Sequence, residues 1–257
     1  MINPIKILNL NIRTFQRTKN VKDFMTPIKC AETEIAKEIN KLNSDTEKIL
    51  EFEKIKGNQN AFIIIDKKRS VADVYKEGKP TDSFDIGIGE KFGDDLNSAK
   101  YINGKFVKEG RTTPSGQFFT YPPYDFNITN KEDFEAGKVI NCLLLDGVQH
   151  PAGFNYRTTL ALHQVSKSHP ERLPEFNIKD RRRGITTGCV NFLPEEFYRL
   201  AEEITPNRTP VYILPEEKGN KLELVLLPDG LWFKTNYADT KKENEFLSAM
   251  AKFFKLR

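Results

Sequence analysis

Cys189, in the stretch Thr186-Thr187-Gly188-Cys189-Val190-Asn191, is the residue of this chain best suited to nucleophilic chemistry. A thiol does that work when a neighbour takes its proton, when substrate can reach it, and when donors face the oxyanion that forms on the attacked carbonyl. The glycine before it lets the backbone approach a ligand closely, and the amides around Gly188 and Cys189 are candidates for the oxyanion site. The pattern places the thiol before a short loop into a helix, at the end of secondary structure. Cys142, within Val-Ile-Asn-Cys-Leu-Leu-Leu, fits a small buried apolar residue instead. With Cys30 as the third cysteine, no multi-bridge framework and no Cys-x-x-Cys metal spacing arises, and at least one thiol stays free unless it pairs between chains.

Three histidines are available as the base, His150, His163 and His169. His150 and His169 each precede a proline and so belong to loops. His163 ends the apolar run Leu160-Ala161-Leu162, where a strand carries its ring to the edge of a site. His163 is therefore the expected partner of Cys189, and the two meet only through folding.

The elements that must bring them together change in period along the chain. From about Thr26 to Lys56 the apolar positions Ile28, Ile35, Ile39, Leu42, Ile49, Leu50, Phe52 and Ile55 recur mainly at three, four and seven, which predicts one or two amphipathic helices with a break and new N-cap at Asn43-Ser44-Asp45. After Gly57-Asn58-Gln59-Asn60 the period shortens to two or to apolar runs. Strands are expected over 61–66, 71–75, 83–88, 116–120, 139–145, 160–163 and 210–214, with hairpin turns at 66–70 and 76–80. One helix is expected over 194–204, with Pro194 in its first turn and Glu195 and Glu196 at its positive end. Past Gly219, residues 222–226 and 231–234 flank Pro228-Asp229-Gly230 as a hairpin, and 243–254 has the pattern of a closing helix. The expected architecture is mainly β (α+β): an N-terminal helical extension (1–58), a sandwich or barrel-like catalytic domain (59–216), and a C-terminal hairpin and helix (217–257).

The order histidine, variable stretch, then Thr-Thr-Gly-Cys-Val-Asn resembles the signature of the L,D-transpeptidase catalytic domain, also called the YkuD family, which runs histidine, variable stretch, then [Ser/Thr]-His-Gly-Cys-hydrophobic-[Asn/Arg]. Thr186, Gly188, Cys189, Val190 and Asn191 match it in place. Phe62 to Asp66 followed by Val71 to Tyr75 looks like the family's opening hairpin. Arg111 to Phe118 looks like its Thr-Pro-x-Gly-x-Phe segment, and Thr209 to Ile213 like its closing strand. The resemblance implies that Cys189 attacks the amide between meso-diaminopimelate and D-alanine in a stem tetrapeptide of peptidoglycan, with His163 taking the thiol proton and the carbonyl of Gln164 orienting the ring. The acyl group then passes to an amine, which forms a cross-link, attaches a protein or exchanges a D-amino acid, or to water, which gives carboxypeptidase activity. Gly188 and Thr187 are expected near the oxyanion, and Thr186 and Asn191 against substrate. The resemblance implies no metal or organic cofactor, and an envelope or periplasmic location.

Two departures from the family pattern stand out. Thr187 replaces the usual histidine before Gly-Cys, so that ring's charge and hydrogen bonds are absent while a hydroxyl remains to donate. The stretch 164–185 is longer than the family's usual spacing and carries Lys167, His169, Arg172 and the run Arg181-Arg182-Arg183. It reads either as a solvated basic loop or as a lid whose arginines, Arg182 and Arg183 foremost, grip substrate carboxylates.

Composition bounds these readings. Hydrophobic residues at 38% and charged residues at 30% describe a water-soluble globular chain, and a net charge of +4 is too small to argue for nucleic acid. Neither a membrane span nor a signal peptide is visible in the sequence, so either export uses another route, or a leader was removed beforehand, or the protein works in the cytoplasm. A papain-like protease is disfavoured because there the nucleophile precedes the histidine. A non-catalytic wall- or partner-binding protein and a delivered effector acting on another cell's wall remain as alternatives.

Overall fold

The computed structural model describes residues 21–94, 100–102, 105–107, 111–121, 142–147, 156–166, 169–178, 181–204, 208–227 and 230–238. Helices α1 (Val21–Asn40) and α2 (Asp45–Lys56) come first, and α3 (Pro194–Glu203) follows the nucleophile. The strands are β1 (Phe62–Asp66), β2 (Val71–Lys76), β3 (Lys79–Gly89), β4 (Lys100–Ile102), β5 (Lys105–Val107), β6 (Gly116–Tyr121), β7 (Cys142–Gly147), β8 (Tyr156–Gln164), β9 (Gly184–Thr186), β10 (Val190–Phe192), β11 (Pro210–Ile213), β12 (Lys221–Leu227) and β13 (Gly230–Asn236). A 3-10 helix spans Pro170–Asn177. The predicted closing helix over 243–254 lies outside the described residues.

Nine strands form one curled mixed sheet in the order β10-β8-β7-β6-β11-β1-β2-β3-β9. The parallel pairs are β1 with β11, β8 with β10, and β3 with β9, and β10 also pairs antiparallel with β3. That second pairing closes the sheet on itself, so the short strand after the nucleophile loses its edge. Inside the curl lie Ile63, Ile65, Val74, Phe84, Ile86, Leu143, Leu145, Leu162, Val190, Phe192 and Val211, stoppered by Phe197 and Leu200 of α3 and by Ile204 at its C-cap.

β1 reads Phe-Ile-Ile-Ile, with no polar residue in alternation, because both of its faces are buried. Ile63 and Ile65 face into the curl. Phe62 and Ile64 face outward into a second core with Tyr212, with Ala36, Ile39, Ile49 and Phe52 of the two helices, and with Leu222, Leu224 and Phe233 of the C-terminal hairpin. Both flanks thus share one apolar layer over the back of the sheet.

Polar contacts fasten that layer. The Asn40 amide accepts from the Leu224 N–H and donates to its carbonyl, each at 2.8 Å, replacing a missing neighbour strand at the edge of β12. Asp45 accepts from the Leu222 N–H at 3.0 Å, and the buried Lys48 ammonium donates to the Leu222 carbonyl at 2.9 Å. Bonds of this kind contribute about 1 kcal/mol each. The N-cap expected at Asn43-Ser44-Asp45 is a full capping box, with the Ser44 hydroxyl on the Glu47 N–H and the Glu47 carboxylate on the Ser44 N–H. One expectation needs correction: Cys189 does not lead through a loop into a helix. The strand Val190–Phe192 comes first, and it is this strand that joins the nucleophile to the sheet.

Candidate active site

Cys189 lies immediately before β10, whose Val190, Asn191 and Phe192 run parallel to and paired with Leu162, His163 and Gln164 of β8. The closed sheet therefore places Cys189 at the residue before β10, next to the strand that carries His163. Cys189 is half-buried and its thiol is free of any disulfide. The backbone of Cys142 stands opposite His163 from the other side, in β7; its side chain lies outside the described residues.

The His163 ring is held in one orientation. Nδ1 lies 2.7 Å from the carbonyl oxygen of Gln164, and a carbonyl only accepts, so Nδ1 carries the proton and Nε2 the lone pair. The Asn191 amide nitrogen lies 3.0 Å from Nε2 and 3.2 Å from Nδ1. A nitrogen nearly equidistant from both cannot lie along the in-plane lone pair of either, so the amide packs over the face of the ring. Burial pushes the His163 pKa below the ordinary histidine value. The Arg172 guanidinium pushes it the same way, against the hydrogen bond to Gln164. The ring is neutral at neutral pH, with Nε2 ready to accept a proton.

The nucleophile loop is tied from within and from outside. The Thr186 hydroxyl accepts from the Gly188 N–H at 3.0 Å and donates to the Cys189 carbonyl at 2.6 Å, closing the turn on itself. The buried Thr113 hydroxyl donates to the Gly188 carbonyl and accepts from the Gly89 N–H, both at 2.8 Å. Gly188 has φ 123°, and a Cβ there would meet the Thr112 carbonyl oxygen at 2.9 Å, so only glycine fits. This gives the Thr-Pro-x-Gly-x-Phe segment its physical reason: Thr112 and Thr113 are the wall against which the Gly-Cys turn is pressed.

Thr113 is itself held by a buried ion cluster. The Lys67 ammonium donates to the Thr113 carbonyl at 2.8 Å, to the Gly93 carbonyl at 2.7 Å and to Asp94 at 2.6 Å. Asp94 accepts from the backbone N–H groups of Glu216 and Glu217 and from the Asn220 amide. Every one of these is a charge-assisted bond within a dry interior, the arrangement that makes a buried charge tolerable.

These contacts place the expected site residues among their neighbours. The Gly188 N–H is bonded to the Thr186 hydroxyl at 3.0 Å. Thr186 is buried and turned into the loop, and Asn191 is fully buried against His163; neither side chain is presented to substrate. Arg182 forms a fork on Glu216, at 2.6 and 3.0 Å, and donates to the carbonyls of Gly89 and Lys91. Arg183 is 1% exposed and donates to the carbonyls of Ser70, Glu175 and Ile178, with an ion pair to Asp85. Most donors of both arginines bond the scaffold. Thr187 is half-buried beside Cys189.

The arginine of the 164–185 stretch that does reach the site is Arg172, whose Nη1 lies 3.3 Å from Asn191 Oδ1. It comes from the 3-10 helix Pro170–Asn177, within a stretch whose sequence reads as a basic loop or a lid. Pro170 in its first turn, with the second proline Pro174 inside a stretch too short for a stable α-helix, was the available signal. Among the described residues no group of three or more His, Cys, Asp and Glu side chains forms a metal-binding array.

The model of the L,D-transpeptidase catalytic domain, YkuD, matches residues 60–213, which is the closed sheet together with the Cys189 and His163 strands. The chain belongs to the L,D-transpeptidase catalytic domain family. Among solved structures, an L,D-transpeptidase from Xylanimonas cellulosilytica is similar at 14% identity, covering 61% of each chain with TM-score 0.35. The catalytic domain of an Enterococcus faecium L,D-transpeptidase is similar at 17% identity over 61% of this chain and 98% of that one, TM-score 0.32. The helical cell shape determining protein Pgp2 from Campylobacter jejuni is similar at 14% identity over 63% and 49%, TM-score 0.37. The chain spans 61%, 50% and 57% of the first three structures it matches. No curated protein matches it in sequence. The two helices before residue 60 and the hairpin after residue 213 lie outside the stretch that the family model matches.

Proposed function

We propose that this chain is a cysteine acyltransferase acting on peptidoglycan stem peptides, with Cys189 as nucleophile and His163 as general base. The observation that carries the reading is the pairing of β8 with β10, which sets a histidine with protonated Nδ1 and open Nε2 beside the strand that Cys189 begins. A family whose members act on peptidoglycan peptides supplies the substrate class. In the reading, Nε2 takes the thiol proton as Sγ attacks the carbonyl carbon of the diamino acid. The C–N bond to D-alanine breaks, the proton passes from His163 to the leaving amine, and a thioester remains on Cys189. An amine or water then attacks the thioester, with His163 taking the proton from the attacking group. The neutral ring favours this order, with the thiol deprotonated during attack rather than resting as an ion pair. We place the protein at the cell envelope on the strength of the family; none of the described helices is long and apolar enough to cross a membrane.

The test is mass spectrometry of muropeptides after incubating disaccharide tetrapeptides with the wild type and with Cys189→Ala. Dimers, D-amino-acid exchange products or tripeptides formed by the wild type alone support the reading and name the acceptor. Unchanged tetrapeptide with both proteins, under conditions where a control L,D-transpeptidase works, refutes it.

A further inference from the structure

The arginines clustered after His163 differ in what they face. Arg181 pairs with Glu175, Arg182 with Glu216 and Arg183 with Asp85. Arg172 is the exception: among the described residues no carboxylate stands within ion-pair distance of its guanidinium, and its side-chain hydrogen bond, at 3.3 Å, goes to the neutral Asn191 amide. Of the acidic residues along the 3-10 helix, Glu175 pairs with Arg181, while the exposed Glu171, bonded to His169 at 3.0 Å, feels the Arg172 charge without an ion pair to it. A half-buried guanidinium has five donors, and leaving it without a counter-ion is costly unless an anion arrives.

Its position is also built in advance. Arg183 holds the carbonyls of Glu175 and Ile178 at the end of the 3-10 helix, Phe176 is buried beneath it, and the Arg172 N–H bonds to the His169 carbonyl at 3.2 Å. The scaffold arginine therefore fixes the segment that offers Arg172, and little ordering is left for binding to bring about. Asn191 connects Arg172 to His163 directly, so an anion held by this guanidinium lies beside the base and not at a remote surface.

We propose that Arg172 forms a carboxylate-binding subsite of the active site and selects acyl-donor peptides that carry a free carboxylate next to the attacked carbonyl. The inference rests on the acyl-transfer reading of Cys189 and names the specificity of that same site. Two carboxylates of a stem tetrapeptide meet the requirement: the side-chain carboxylate of the diamino acid and the terminal carboxylate of the departing D-alanine. The planar fork of arginine recognises either one by two parallel N–H bonds, which a lysine ammonium cannot reproduce.

The experiment measures kcat and KM for wild type, Arg172→Gln and Arg172→Lys on three tetrapeptide donors: both carboxylates free, the side-chain carboxylate amidated, and the terminal carboxylate amidated. The expected result is a fall in kcat/KM of about 10- to 100-fold for Arg172→Gln on the free donor, carried mainly by KM, with partial recovery in the lysine variant. Amidation of the recognised carboxylate produces the same fall in the wild type and adds nothing further in Arg172→Gln, which identifies the carboxylate bound. Turnover by the wild type without discrimination among donors overturns this inference alone. So does an Arg172→Gln defect of equal size on all three, since that marks a structural role. No turnover of any donor by the wild type overturns the acyl-transfer reading and this inference with it.

Discussion

Replacing Thr113 with valine keeps the shape of the side chain and removes one hydroxyl, and two buried backbone groups lose their partner at once. The Gly89 N–H loses its acceptor and the Gly188 carbonyl its donor, each from a bond of 2.8 Å. Thr113 is fully buried, so water does not replace the hydroxyl without rearrangement. Stranding a buried polar group costs about 1–3 kcal/mol, so the pair amounts to about 2–6 kcal/mol. For a chain of this length that lowers Tm by about 4–24 °C. The second consequence is functional, because Gly188 precedes the nucleophile and its carbonyl is what Thr113 pins. A nucleophile displaced by ~1 Å loses about 100-fold in rate. Thermal unfolding and the rate of D-alanine release, each measured for wild type, Thr113→Val and Thr113→Ser, separate the two effects. Serine retains the hydroxyl and gives up a methyl group worth about 1 kcal/mol, so it restores most of the rate. A valine variant as active as the wild type, or a serine variant as slow as the valine one, refutes the claim that this hydroxyl sets the nucleophile loop.

Two further predictions concern protons. The His163 ring, followed by NMR and assigned with a His163→Gln variant, titrates below the ordinary histidine value, and Arg172→Gln moves its pKa upward because one of the two lowering influences is removed; an unchanged or lower value contradicts the electrostatic picture of the site. Glu196, in the first turn of α3, is pushed up to about 7, mostly by burial and also by Asp85. Its raised pKa favours the folded state below pH 4.5, and that contribution is lost as pH rises through about 7, where a buried carboxylate must ionise. Glu196→Gln therefore raises stability at pH 8 relative to pH 5 by about 1 kcal/mol after allowing for solvent screening, measured by urea unfolding at the two pH values; equal effects at both remove the assignment.

Cys189 and His163, the proposed nucleophile and base, stand out in sequence because each sits in a local pattern, Gly-Cys after a threonine and a histidine closing an apolar run, while the Gln164 carbonyl was expected only from the family resemblance. The closed sheet was readable as strands but not as a closure. β10 is three residues long and lies between a turn and a helix, and its pairing to both β3 and β8 depends on contacts distant in sequence. The flanking helices were legible from their period, whereas their seat over β1, with Asn40 standing in for a strand beside Leu224, has no local signal. The arginines show the limit most plainly. Arg172, Arg182 and Arg183 are chemically equivalent in sequence, and only the positions of Glu216, Asp85 and Ser70 decide that two of them brace the scaffold and one faces the site.

The most direct test of the central claim is intact-protein mass spectrometry after rapid acid quenching of the enzyme with a stem tetrapeptide. The account predicts an adduct equal to the acyl tripeptide, mapped by peptide analysis to Cys189, released by hydroxylamine as a thioester is, and absent from Cys189→Ala. An adduct that persists in Cys189→Ala, or tetrapeptide turnover by that variant at the wild-type rate, would contradict it.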